Sequence, residues 1–313
     1  VSTPQADGSQ HALTLIAFIG SVFSPYYAWA RRRQGEGAAA ATEHCSINIA
    51  LYHRPPGARR FRTAWTMTER GARQLKRDAR SLQIGPSALR WVDGALDITL
   101  DERTMPWAGR VAGRVRLEPE AAPGRVFALD ASGHHRWQPV HPRARVEVDL
   151  QHPSRRWHGT AYFDANVGER PLEQDFRAWD WSRQPLPGGG TALHYDVQPR
   201  QGPARSLALR VDAAGRLHPA PTPPDGAQID PLRRWPLPRT RWGLSRATWC
   251  AGQPSLVDTL EDGPFYSRSL WSPPGAVNES PGHWAMHESL SLDRFANPWV
   301  QAMLPFRMPR RGG

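Results

Sequence analysis

The sequence predicts an all-β fold of two barrel-like units with few short helices, and three observations lead there. Gly and Pro number 27 and 31, well above average usage, and that density of punctuation leaves little room for long helices. Apolar and polar residues alternate with period two through one segment after another, the mark of half-buried strands. Two such series flank a Pro/Gly cluster, PLPGGG at 185–190. The cluster is read as a boundary between an N-terminal unit over 1–185 and a C-terminal unit over 186–313. At 313 residues the chain is long for one domain. Its hydrophobic share is only 39%, but 14 Trp and 9 Phe supply volume for a core. No internal repeat is visible.

Residues 1–10 are polar and read as loose, and the start at Val1 rather than Met is compatible with a segment upstream. The longest apolar run, LTLIAFIGSVF at 13–23, is about half the ~20 residues that a membrane-spanning helix requires. It reads as a buried strand, with a lipid-touching stretch as the alternative. No charged n-region and cleavage site mark a secretory signal. SPYYAWARRR (24–33) carries an aromatic cluster into a basic patch, and GEGAAAAT (35–42) reads as a surface loop. CSINIALY (45–52) and residues 61–68 are strands joined by a PPGARR turn, whereas ERGARQLKRDAR (69–80), polar nearly throughout, is expected to be a short surface helix.

From residue 88 the rhythm is strand, turn, strand. ALRWVDGALDITLDE (88–102) has a DG turn between alternating runs, a strong hairpin signal. The pattern continues through 110–120, 124–130, 144–150, 160–168 and 176–184. Beyond the Pro/Gly cluster it resumes in 188–199, 205–218 and 246–252, with PAPTPPDG (219–226) as a loop.

The net charge of +11 and pI near 10.8 would suit nucleic acid or an anionic membrane surface. Lys76 is the single lysine, and the arginines spread over the whole chain amid abundant Ala, Gly and Pro. That composition matches base drift in a GC-rich genome, so no nucleic-acid partner is expected. Attraction to anionic head groups remains, about 1 kcal/mol per well-placed basic residue. Cys45 and Cys250 are too few for a disulfide framework or a zinc cage. Reduced thiols in a cytoplasmic compartment are expected.

No Walker A loop, dinucleotide fingerprint, HExxH or GxSxG is present. The 12 histidines show no persuasive metal-ligand spacing, with HHRW (134–137) and RWH (156–158) as local exceptions. The informative stretch is WHGTAYFDANVGERPLEQDFRAWDWSR (157–183), which sets acids among Trp, Tyr and Phe. An ordinary carboxylic acid is too weak and too well hydrated to protonate an alkene. Removing water raises its pKa, and aromatic faces can steady the resulting cation. On a strand, Tyr162 and Asp164 share a side, as do His135 and Trp137. The four form a possible imidazole, indole, phenol and carboxyl constellation. The residues alone leave plainer readings open: Asp164 as an Asx-turn cap, Trp137 and Tyr162 as core, His134 and His135 as solvated turn residues, Glu169 and Glu173 as charged surface.

Several segments together resemble the carotenoid 1,2-hydratases (hydroxyneurosporene synthases) of phototrophic bacteria. They are residues 11–33, HCSINIALY (44–52), MTERG (67–71), LQIGPSAL (82–89), YFDANVGERPLEQDFRAWDWSR (162–183) and HESLSLDRFANPWVQAMLPFRMPR (287–310). The resemblance implies two lipocalin-like (calycin-type) β-barrel units packed together, the first carrying the site. It implies hydration of the terminal C1=C2 bond of acyclic carotenes such as neurosporene and lycopene, with no organic cofactor and no metal. The family's functional positions fall on His135, Trp137, Tyr162 and Asp164. Asp164 is then the acid, Trp137 and Tyr162 face the cation, and His135 orients water, accepts its proton or holds Asp164. A bilayer-borne substrate implies a peripheral position on the inner or intracytoplasmic membrane, with 26–33 and 307–311 facing it. Other enzymes of carotenoid synthesis become possible neighbours there.

Three rival readings share some of these features. A non-catalytic lipocalin-type pigment carrier needs the cavity but no acid. A nucleic-acid-binding protein needs clustered basic residues with exposed stacking aromatics. A glycosidase-like hydrolase would pair Asp164 with Glu169 or Asp180, without any family likeness behind it.

Overall fold

Alternation becomes antiparallel sheet almost wherever the sequence carries it. The computed structural model describes residues 5, 7–35, 39–120, 124–219, 232–275 and 284–311. The chain divides into two compact units. One comprises Val1–Pro119, Arg145–Ala161 and Pro298–Gly313, the other Glu120–Ala144 and Tyr162–Asn297.

The first unit opens with a meander of β1 (Gln10–Ile19), β2 (Cys45–Arg54) and β3 (Arg62–Arg70). The central strand, β2, is buried at its first eight positions, which is why CSINIALY is apolar almost throughout instead of alternating strictly. A second sheet is built from β4 (Leu75–Arg77), β5 (Ser81–Ile84), β6 (Ser87–Val92), β7 (Ala95–Arg103), β8 (Arg110–Pro119), β9 (Phe127–Ala128), β10 (His135–His152) and β11 (Ser154–Gly168). Its order is β11-β10-β8-β7-β6-β5-β4, with β9 paired to β10. The DG turn joins β6 to β7 as expected, with both turn residues at positive φ, Asp93 at 49° and Gly94 at 78°. β10 and β11 are long, and each supplies residues to both units.

The second unit contains a sheet ordered β15-β14-β13-β12-β20-β19-β18 and a separate ribbon of β16 and β17. Its strands are β12 (Phe176–Pro185), β13 (Thr191–Pro199), β14 (Arg205–Val211), β15 (Leu217–Pro219), β16 (Arg233–Leu237), β17 (Arg246–Cys250), β18 (Ser255–Asp262), β19 (Tyr266–Ser272) and β20 (Ala285–Ser291). Trp271 and Ala285, buried beside Leu237 and Cys250, form a core under the ribbon.

Residues 69–80 and Asp164 depart from readings given above, and two further segments are defined by the structure. SPYYAWARRR is a helix, α1 (Pro25–Gln34): Ser24 Oγ accepts from the Tyr27 amide, Pro25 occupies the first turn, and Arg31, Arg32 and Arg33 fill the last turn. Residues 69–80 are not a helix. Glu69 and Arg70 end β3, are 0% and 3% exposed, and are held there by ion pairs to Arg310 and Glu102. Asp164 does not cap a turn but lies inside β11. The Pro/Gly cluster at 185–190 joins β12 to β13, which pair from Pro185↔Thr191 onward inside the second unit. The division at 185/186 therefore does not coincide with the compact units. Of the loop expected at 219–226, all but Pro219 lies outside the described residues, as do 1–4, 6 and 36–38 of the N-terminal loops. Cys45 and Cys250 are free and buried.

Candidate active site

Tyr162 and Asp164 are two residues apart on β11, so they project to one side. Trp137 of β10 meets them: its Nε1–H donates to Asp164 Oδ2 at 2.8 Å. The indole is 1% exposed. Tyr195 of β13 packs edge-on to Trp137 with ring centroids 5.3 Å apart, and Phe127 closes a further side at 5.8 Å. Tyr162 lies 5.3 Å from the ring of Trp181 on β12, and Trp179 lies 6.0 Å from Tyr195. Aromatic side chains of β10, β11, β12 and β13 thus lie around Asp164 and its two partners.

Loss of water pushes the Asp164 carboxyl up to about 6. The Trp137 N–H opposes that rise by stabilising the carboxylate, and the negative charge of Glu288 adds to it. Burial likewise pushes the Tyr162 and Tyr195 phenols well above their ordinary range, with the charge on Asp164 contributing. It also pulls the Arg183 guanidinium down to about 10. The Tyr162 hydroxyl is buried without a hydrogen-bond partner of good geometry. Among the described residues, no arginine forms an ion pair with Asp164.

His135 is not a solvated turn residue. It is 1% exposed, its Nε2–H donates to Asp175 Oδ2 at 2.8 Å, and its ring lies 4.9 Å from Phe176. Its amide donates to Asp130 Oδ1 at 3.3 Å. Nδ1 is buried without a partner, and a Cβ on Gly168 would stand 2.9 Å from it, which requires glycine there. The structure thus joins Trp137, Tyr162 and Asp164, and it places His135 with Asp130 and Asp175 instead. Those three each offer one atom within 4.8 Å of the others, and among the described residues they are the group that could hold a cation. The hydrogen bond already made by Nε2 fits an imidazole–carboxylate pair.

Sequence reasoning missed Tyr195 and Glu288, and it placed Asp175 in the acid-rich stretch without pairing it to His135. Tyr195 and Glu288 both lie opposite Trp181, on the flanking strands β13 and β20. Only strand pairing brings them to residues 137–164; the local pattern carried no signal beyond alternation.

Residues 15–313 match the family model of the carotenoid hydratase CrtC. The chain belongs to this family. It is 50% identical to an acyclic carotenoid 1,2-hydratase of Thiocapsa roseopersicina, over 98% of this chain and 71% of the relative. It is 37% identical to another of Cereibacter sphaeroides, over 96% and 99%. Among solved structures, kievitone hydratase from Nectria haematococca superposes with a TM-score of 0.51 over 93% of this chain and 88% of that one. At 7% identity this likeness concerns the fold alone. The chain thus has the all-β architecture with few short helices that the alternation predicts, of the lipocalin-like kind that the resemblance implies.

Proposed function

We propose that this carotenoid hydratase family member adds water across the terminal C1=C2 bond of an acyclic carotene, with Asp164 as the proton donor. The observation that carries the reading is the company Asp164 keeps: an indole N–H, a phenol and further aromatic rings, with a carboxyl pushed up to about 6. An acid still partly protonated near neutrality can deliver a proton to C2. The positive charge then appears at the tertiary C1, which fixes where water adds. Trp137, Tyr162, Tyr195 and Trp181 present π faces to that cation, each worth about 1–2 kcal/mol when desolvated. After transfer, the Trp137 N–H holds the carboxylate just formed. His135 lies two residues from Trp137 on β10, and its bond to Asp175 anchors that end of the strand. Its role in this scheme is to position Trp137.

The substrate resides in lipid, and no described helix is long and apolar enough to cross a membrane. The face proposed to meet a bilayer lies in the first unit. There Arg310 sits 6.0 Å from the Tyr26 ring, and Arg32 donates to Gln301 at 2.6 Å, so α1 and the C-terminal segment share one surface. Phe306 and Trp299 are 76% and 68% exposed beside that basic run. Aromatic and arginine side chains together suit a head-group boundary, here that of the inner or intracytoplasmic membrane. Binding to anionic liposomes at low salt tests the surface, and indifference to them removes it.

The activity is tested by anaerobic incubation of the purified protein with lycopene in liposomes. The expected product is heavier by one water, with the hydroxyl at C1. Tight pigment binding without conversion would make the protein a carrier and overturn the reading.

A further inference from the structure

Opposite pairing sets Tyr195 of β13, Trp181 of β12, Glu288 of β20 and Arg268 of β19 in one row on one face of the second unit's sheet. The first two are the rings that touch Trp137 and Tyr162. Glu288 is therefore the next side chain along the wall that encloses Asp164. Its Oε1 accepts from Arg268 Nε at 2.8 Å, and Arg268 is 1% exposed while Glu288 keeps 22%. The same guanidinium bonds Glu261, so one buried arginine serves two carboxylates.

We propose that Glu288 is the second carboxylate of the reaction, the base that takes the proton from the water adding to C1. The inference rests on Asp164 being the acid. Two carboxylates on one wall can divide the labour when one is kept neutral and the other charged, and environment sets which is which. Asp164 has an indole for a partner, and Glu288 has a guanidinium. Arg268 holds Glu288 in place, and the negative charge of Glu288 helps keep Asp164 protonated.

The steps balance. The C1=C2 π pair takes the Asp164 proton at C2, leaving a carboxylate and the C1 cation. Water oxygen bonds to C1, and Glu288 removes one of its protons as the C–O bond forms. A proton then passes back from Glu288 to Asp164 through solvent, so the net change is alkene plus water to tertiary alcohol. A protonated alcohol is a very strong acid, so a carboxylate is basic enough to take its proton. Among the described residues, other charged or titratable groups around Glu288 include Arg268, Glu261, Tyr195 and Tyr266, with Arg183 on β12 and His287 on the opposite face of β20.

The test separates protonation from hydration. In D2O, delivery of a deuteron to C2 followed by loss of the original proton returns alkene carrying deuterium. Glu288→Gln keeps an oxygen for Arg268 and removes the base. We expect its hydration to fall at least about 10²-fold, with deuterium still entering the recovered lycopene within about tenfold of the parent rate. Glu288→Asp, which restores a carboxylate, is expected to recover part of the hydration and covers the case in which the Gln variant does not fold. Folded Glu288→Gln that hydrates within about threefold of the parent overturns the proposal, and so does loss of exchange together with hydration. If Glu288→Gln fails to fold, an Asp variant that folds but exchanges without hydrating overturns it as well. Asp164→Asn should lose both reactions; if it keeps exchange, the acid assignment fails on its own account.

Discussion

Trp137–Asp164 and Trp249–Asp196 are both indole–carboxylate pairs of the second unit, and the first has the company that proton donation requires. Trp137 donates to Asp164 at 2.8 Å, and Trp249 donates to Asp196 at 2.7 Å. Asp196 and Asp180 point to the face of the sheet covered by the β16–β17 ribbon. There Arg234 reaches Asp180 at 2.7 Å and Asp196 at 3.3 Å, while His287 donates to the Ala247 carbonyl at 2.8 Å. On the opposite face Asp164 meets Tyr162 and Trp137, walled by Trp181 and Tyr195. The hydrogen bond is nearly the same in both pairs, so the difference lies in the guanidinium. An arginine makes a buried carboxylate a strut; aromatic rings without one leave it an acid.

Exchanging the carboxylates gives the largest expected contrast. Asp164→Asn should cut hydration by at least about 10²-fold, the lower bound of what a positioned acid contributes. It should hold or raise stability at pH 7, by about 1–3 kcal/mol, because no charge is then desolvated. Asp196→Asn should do the reverse: hydration per folded molecule within about threefold, and a stability loss of about 1–3 kcal/mol as Arg234 loses a buried partner. Paired denaturation curves and product assays check both.

The two tryptophans sharpen the comparison further. Trp137→Phe removes the N–H that stabilises the Asp164 carboxylate, so the acid should ionise at still higher pH, with hydration reduced about tenfold or more. Trp249→Phe should cost about 1 kcal/mol of stability and leave the pH profile in place.

Acidity supplies a third test. With the Asp164 carboxyl near 6, hydration should decline as pH rises through that value. The native state also holds a proton on Asp164 that the unfolded chain has released, so this group's contribution to stability diminishes from about pH 4 to about pH 6 and is level above. Asp164→Asn should abolish that slope in a pH series of melting curves. The smallest effect is expected from Tyr162→Phe: its hydroxyl is buried without a good partner, so stability should hold or rise slightly while hydration falls less than about tenfold.

What the residues revealed followed from period. The strands and the DG hairpin were legible because alternation and turn chemistry are local, and so was the shared side of Tyr162 and Asp164. Helix α1 was also written locally, in the Ser24 cap, Pro25 in the first turn and the three closing arginines. Residues 69–80 look like a solvated helix only while Arg310 and Glu102, far away in sequence, are left out. The same limit hid most of the candidate site. The Trp137–Asp164 bond, the His135–Asp175 pair and the place of Glu288 all depend on which strands lie side by side.

An Asp164 that donates the proton must carry one close to neutrality, and difference infrared titration of the parent protein against Asp164→Asn measures that directly. A protonated carboxyl band absent from the variant and lost with a midpoint near pH 6 is the predicted result. A midpoint near pH 4, the value of an ordinary aspartate, would contradict this and remove Asp164 as the proton donor.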